Sequence, residues 1–442
     1  DTLDLHGGDW RIAGVSLRGT AAAESLNPQD GLYTLLVRDR DQLHGRVIAS
    51  LAQVIAAAQQ PRLAREALIA PGIKIVTLTV TEKAYGLERP DGAVMPEHPA
   101  VAHDLANPED PQGVLGLLAW ALGERRRRGL APFTILCCDN LPSNGRLLRA
   151  GVCDFADRVA PGLGAWISSN VSFPCTMVDR ITPAVTQQTL SDAAAMLACK
   201  DLAAVETEPF SMWVVEDDFP QGRPAWEDAG VLMVDDVSPY EHMKLRVLNG
   251  AHSLVAYVGH VAGHVYVRDA LSDEVLAHAL DTYMRCAAQT LQSVAGIDLA
   301  DYIVATRQRF ANPAIAHATH QIAMDGTEKL PQRILDPARD CLMQHRDIVP
   351  FAFAVAAWMR YCLGVTESGQ HYSLRDPRED EIKAVLRGPT EDAQSIVTAL
   401  MTLPGLFPLE LRDSPVWRRT VADFLRIMLA SGMAAALSSF VS

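Results

Sequence analysis

What most constrains the fold is a change of hydrophobic period at about residue 239. Before it, short β-rich runs alternate with helical segments. Ile73 to Val80 (IKIVTLTV) and Phe133 to Cys138 (FTILCC) are almost continuously apolar, as strands buried on both faces of a parallel sheet are. Trp10 to Leu17 reads as a further short strand. Residues 46–68 and 113–128 carry apolar positions at helical spacing. Such alternation implies a doubly wound α/β domain, assigned to residues 1–235. Beyond Pro239, residues 240–262, 273–293, 348–363, 379–402 and 415–440 repeat apolar positions every three or four residues, and strand-like runs almost vanish. Residues 236–442 are therefore expected to form a mostly α-helical domain.

The 442 residues are 49% hydrophobic and 21% charged, ample material for two cores. A net charge of -14 disfavours nucleic acid as a partner. The one basic run, Arg125 to Arg128, ends a helical segment before Gly129 and reads as ordinary helix termination. No apolar run reaches the roughly 18 to 20 residues needed to cross a bilayer, so no membrane partner is expected. The eight cysteines form no CxxC pair, consistent with reduced thiols in a cytoplasmic protein.

A dinucleotide fold opens with a strand, a glycine-rich turn and a helix whose N-terminus receives the pyrophosphate. No GxGxxG occurs in this chain. Either the fold does not bind dinucleotides or its first β-α unit lies upstream of Asp1.

The densest group of reactive side chains is Tyr240 to His252 (YEHMKLRVLNGAH). At about 100° per residue, Lys244, His252 and Asn249 fall at roughly 0°, 80° and 140° on a helix. Lysine, amide and imidazole on one face could hold a carbonyl oxygen and exchange its proton. Spacing alone fits a solvated polar face better. Tyr240 and Lys244 also match the short YxxxK pair of short-chain dehydrogenases, in which tyrosine is the acid. His260 and His264 have i, i+4 metal-ligand spacing, but no third ligand accompanies them and no metal site is expected. CDNLPSNG, carrying Asn140 and Asn144, follows a buried strand at the edge where open α/β sheets bind ligands.

TLTVTEKAYG (77–86), CDNLPSNG (138–145), FPCTMVDRITP (173–183), EPFSMWVVEDDF (208–219), YEHMKLRVLNGAHS (240–253) and QIAMDGTEKLPQR (321–333) together resemble the polyol-specific long-chain dehydrogenase/reductase family. It includes mannitol 2-dehydrogenase, fructuronate reductase and tagaturonate reductase. The resemblance spans essentially the whole chain. It implies a Rossmann domain, lacking about one opening β-α unit here, followed by a mostly helical domain. It also implies an NAD- or NADP-dependent, metal-independent oxidoreductase acting on CH–OH groups. Lys244 would be the acid/base, Asn249 the donor to the carbonyl oxygen, and His252 a contact to substrate hydroxyls. Cys175, Asp217, Lys329, Arg333 and Arg360 would bind substrate, and Arg18, Glu82, Asn140 and Asn144 the cofactor.

Mannitol dehydrogenases carry asparagine where this chain has Cys175, and FPCTMVDRITPAVT, QIAMDG-x-x-KLPQR and WMRY (358–361) lean toward fructuronate reductases. No acid follows Gly19-Thr20 to hold a ribose hydroxyl, so NADP stays open beside NAD. The expected reaction is reduction of D-fructuronate to D-mannonate by a monomer or small homo-oligomer. The alternatives are a polyol dehydrogenase such as mannitol 2-dehydrogenase and a catalytically degenerate binding protein of the same fold.

Overall fold

The computed structural model describes residues 2–39, 42–88, 91–313, 317–388 and 392–442. The chain divides into two compact units, Asp1–Ser238 and Pro239–Ser442.

The first unit is built on short parallel strand pairs. β1 (Ile12–Ser16) runs parallel to β4 (Leu51–Ala56), and β5 (Ile75–Leu78) parallel to β6 (Thr134–Cys137). β2 (Tyr33–Asp39) pairs antiparallel with β3 (Gln42–Ile48) and parallel with β8 (Val205–Thr207). β9 (Met212–Glu216) lies between antiparallel β7 (Thr176–Asp179) and parallel β10 (Leu232–Val234). All four residues of β6 are buried, which is why its sequence is apolar without alternation.

Residues 46–68 depart from the helical expectation. Only α1 (Pro61–Leu68) is helical; residues 46–48 belong to β3, 51–56 form β4, and the rest is turn or loop. A short apolar run does not reveal its period. Val54, Ile55 and Ala56 are buried where β4 registers against β1, so tertiary pairing decides the conformation.

Helix α2 (Val114–Arg127) is buried on most of its circumference, and its core extends to Leu147, Leu148, Val152 and Phe155 of α3 (Asn144–Val159). The basic run has a structural explanation. Arg125, 2% exposed, donates to the carbonyls of Leu68, Ala70, Ile73 and Ala131, while Arg127 and Arg128 pair with Glu124.

In the second unit the described residues contain helices and isolated bridges but no strand ladder. Ser238–Met243 is α-helical, Lys244–Asn249 is π-helical, and α4 (Gly250–Ala262) continues the rod. It is followed by α5 (Glu274–Ala288), α6 (Leu299–Phe310), a second π-helical turn (Pro331–Leu335) running into α7 (Asp336–Met343), and α8 (Val349–Tyr361). Residues Pro350 to Tyr361 of α8 are all buried, so it serves as the unit's central post. The segment 415–440 is two helices rather than one, Pro415–Ser431 and Met433–Val441, broken at Gly432 with φ 86°. Residues 379–402 likewise hold two helices, Glu379–Val385 and Ala393–Leu400.

Candidate active site

Lys244 opens the first π-helical turn and is 9% exposed. The Gly250 amide reaches back five residues to the Leu245 carbonyl. In a helix with i→i+5 bonds, the fifth residue lies about one turn along the same side. Asn249 therefore stands closer above Lys244 than the 100° wheel implies, and such turns mark functional sites in helices. Tyr240 sits on the preceding α-turn, where its buried side chain donates to the Ala295 carbonyl over 2.8 Å. That hydroxyl is spent on the fold.

His252 lies in the first turn of α4, stacked on Phe310 at 4.7 Å between centroids and beside His317 at 5.3 Å. Its Nε2 is buried and has no hydrogen-bond partner within the protein. Burial holds its pKa well below the ordinary imidazole range, and the charges of His317, Arg333, Arg309 and Lys329 push the same way. The ring is thus neutral at pH 7, able to donate or accept a hydrogen bond at Nε2.

The cations acting on His252 identify its surroundings. Arg333, on the second π-helical turn, donates through Nη1 to the Ser253 hydroxyl at 3.1 Å. Lys329 donates to the carbonyls of Ile322 (3.2 Å) and Met324, with Asp325 at 4.0 Å. Arg360 is set apart: 8% exposed, it donates to the Val365 carbonyl over 2.8 Å and lies beside Tyr372. Arg309 and His317 were not singled out from the sequence. Arg309 is 7% exposed and precedes Phe310, whose ring carries His252. The RFANP string (309–313) is the one local signal for it, because a buried arginine beside an aromatic is costly without a purpose.

In the first unit, the ends of β5 and β6 are tied together. The Asp139 carboxylate accepts from the amides of Val80 (3.0 Å) and Thr81 (3.1 Å) and from the Tyr85 hydroxyl (2.6 Å). Thr81 is held at φ 74°, a left-handed conformation that a β-branched residue adopts only when its surroundings impose it. This imposed turn lies at the carboxyl edge of parallel strands, where α/β sheets receive ligands. Glu82 is half-buried there, Asn140 is exposed, and Arg18 is exposed beyond β1. The turn after β1 closes through Ser16 Oγ donating to the Gly19 carbonyl at 2.8 Å. These residues suit a nucleotide's hydroxyl and phosphate groups.

Asn144 differs from the expectation. It is 2% exposed, and Nδ2 lies within hydrogen-bond distance of the carbonyls of Cys137, Asp139 and Thr176, while Oδ1 accepts from the amides of Gly145 and Thr176. Its amide is committed inside the turn, so it shapes the edge rather than touching a cofactor. Gly145 continues that packing: a Cβ there would lie 2.3 Å from the Phe173 carbonyl.

Cys175 is 2% exposed, with Arg146 Nη1 3.4 Å from its sulfur. Burial raises its pKa, so it stands as a thiol. Its amide donates to Glu216, which pairs with Arg146 at 3.2 Å. Asp217 is held by Arg223 in a bidentate pair of 2.7 and 2.8 Å, and that arginine also binds Glu227. Asp217 is therefore already neutralised locally.

Residues 2–228 match the family model for the mannitol dehydrogenase Rossmann domain, and residues 236–428 match the mannitol dehydrogenase C-terminal domain. The chain belongs to the mannitol dehydrogenase family. It is an oxidoreductase of that family, with a Rossmann domain followed by the helical C-terminal domain. The "Uncharacterized oxidoreductase YeiQ" of Escherichia coli (strain K12) is 41% identical over 93% of this chain and 85% of its own length. The D-mannonate oxidoreductase of the same strain is 38% identical over 97% of this chain and 87% of its own. The solved ternary complex of Pseudomonas fluorescens mannitol 2-dehydrogenase with NAD and D-mannitol is 34% identical. It superposes with a TM-score of 0.86, covering 100% of this chain and 90% of that one. Among the described residues, no helix is long and apolar enough to cross a membrane, and no three His, Cys, Asp or Glu side chains gather as metal ligands.

Proposed function

We propose that this mannitol dehydrogenase family member reversibly reduces the ketone of a sugar acid, D-fructuronate giving D-mannonate, with NAD(H). The observation that carries the reading is the set of cations around neutral His252. Arg333 donates to Ser253, the residue after His252, at 3.1 Å, Arg309 precedes Phe310, on which the His252 ring stacks at 4.7 Å, and Lys329 adds to the positive charge acting on that imidazole. A carboxylate can add charge-assisted bonds to cations so placed that a neutral polyol cannot, and arginine binds it through paired donors.

In reduction, Lys244 Nζ gives its proton to the oxygen that develops negative charge. The Asn249 side-chain amide, one π-turn along, donates a hydrogen bond to that oxygen and stabilises it. His252 Nε2 serves a substrate hydroxyl, and Arg333 and Lys329 receive the carboxylate. NAD(H), when bound, supplies or accepts the hydride. Arg18, Glu82 and Asn140 hold the nucleotide at the strand edge shaped by Asp139 and Asn144. The 38% identity to a D-mannonate oxidoreductase supports this substrate, and the 34% identity to a mannitol 2-dehydrogenase in complex with NAD supports the cofactor. That same structure, which holds D-mannitol, favours a neutral polyol as the second reading.

Fructuronate, tagaturonate and fructose reduced in parallel with NADH and NADPH decide between the readings. A kcat/KM for fructuronate at least tenfold above that for fructose is expected. The reverse order replaces the sugar acid with a polyol.

A further inference from the structure

Pro337 creates a difficulty that the fold resolves beside the proposed site. Proline has no N–H, and its ring crowds the carbonyl four residues earlier, here that of Arg333. The chain loosens ahead of it into the π-helical turn Pro331–Leu335, where Asp336 N reaches the Pro331 carbonyl. With no N–H at Pro337, Arg333 O cannot take the usual i→i+4 bond, and a buried backbone carbonyl then takes another donor. Tyr283 of α5, fully buried, supplies it through its hydroxyl at 3.0 Å. Phe351 holds the ring edge-to-face at 5.4 Å.

Gly250 makes this contact possible. A Cβ there would lie 2.2 Å from the Tyr283 hydroxyl oxygen and 2.8 Å from the Arg333 carbonyl oxygen. Gly250 directly follows the turn Lys244–Asn249. A single hydroxyl thus sits where the turn carrying Lys244 and Asn249 meets the turn carrying Arg333. The Arg333 guanidinium makes a second tie to Ser253, three residues beyond Gly250.

We propose that Tyr283 is a positioning residue, which sets the substrate-binding guanidinium of Arg333 relative to the acid/base turn through the carbonyl that Pro337 strips of its helical donor. The inference rests on the roles given above to Lys244 and Arg333. Tyr283→Phe keeps the ring and removes only the donor. It should raise KM for the acid substrate about five- to tenfold, the loss of one hydrogen bond's worth of placement. Its kcat should fall by less than about threefold, and KM for a neutral ketose by less than about twofold.

A purely structural tyrosine would lower the melting temperature and leave KM alone, and that result overturns the proposal. A second measurement needs no substrate. Gly250→Ala should strongly destabilise the protein, and adding Tyr283→Phe should recover part of the loss, because the offending oxygen is gone. Strictly additive melting shifts in that cycle would refute the contact and the proposal with it. Should the enzyme reduce only neutral ketoses, the sugar-acid reading falls by itself, and the Tyr283–Arg333 tie is decided by the melting cycle, kept by non-additive shifts and refuted by additive ones.

Discussion

The Tyr240 hydroxyl donates to the Ala295 carbonyl at 2.8 Å, one helical turn before Lys244. A tyrosine so engaged holds the loop after α5 and has no proton to offer a substrate. Lys244→Ala should therefore lower kcat on the order of 10²- to 10⁴-fold, the usual loss for a general acid/base, with cofactor affinity little changed. Tyr240→Phe should keep most of the activity. Steady-state kinetics and cofactor titration of both variants check this, and an inactive Tyr240→Phe beside an active Lys244→Ala would transfer the acid role to tyrosine.

The arginines divide by what they touch. Arg333→Ala should raise KM for the acid by one to two orders of magnitude, as loss of a charge-assisted contact of about 1.5 to 3 kcal/mol does. Arg360→Ala should leave KM nearly unchanged and lower the melting temperature, because its partner is the Val365 carbonyl. Kinetics and calorimetry on the pair test the division. An unchanged KM in Arg333→Ala would remove the support for a carboxylate substrate.

Cys175 offers Arg146 an acceptor from a nearly closed site. Serine can take the same bond, so Cys175→Ser should keep sugar-acid activity within about twofold. Asparagine is larger, and overfilling a packed site costs roughly 1 to 3 kcal/mol. Cys175→Asn should lose that much stability and shift the kcat/KM ratio toward neutral polyols. An unshifted ratio would mean that residue 175 does not read the substrate.

Exhaustive treatment with EDTA and phenanthroline should leave turnover intact. His260 and His264 gather no third ligand among the described residues, and His260 is packed against His320, 4.8 Å between centroids. Activity lost on dialysis and recovered with a divalent metal would contradict this.

His260 also makes stability depend on pH. Burial, then the neighbouring His320, lowers its pKa from 6.5 to about 4. Between those values the unfolded chain binds the proton and the folded one does not, so stability falls as pH drops from about 6.5 toward 4. His252 and His317 shift in the same direction. Melting temperature followed across that range should decline, and His260→Gln should flatten part of the slope. A slope unchanged in the variant would assign the acid sensitivity elsewhere.

Chain chemistry alone was enough for the elements whose pattern admits one solution. FTILCC forms a strand with all four residues Thr134–Cys137 buried, and residues 113–128 hold a helix. IKIVTLTV forms a shorter strand, Ile75–Leu78, whose Thr77 is exposed, so it is not buried on both faces. Lys244, Asn249 and His252 could be singled out together because they lie on one stretch of helical chain, but their spacing alone favoured a solvated face, and their roles belong to the proposed function. Tertiary structure decided what depends on a partner far along the sequence. Leu51 to Ala56 is a strand because β1 lies beside it. Asn144 turns inward because Thr176 meets its amide, and Asp217 is neutralised because Arg223 folds back on it. The π-helical turn at Lys244, the bond from Tyr283 to the Arg333 carbonyl and the cation set around His252 arise only once α4, α5, α6 and the Pro331–Leu335 turn pack together. Local propensity acts over a few residues, whereas the burial that strips a polar group of water, and so dictates its partner, exists only in the assembled core.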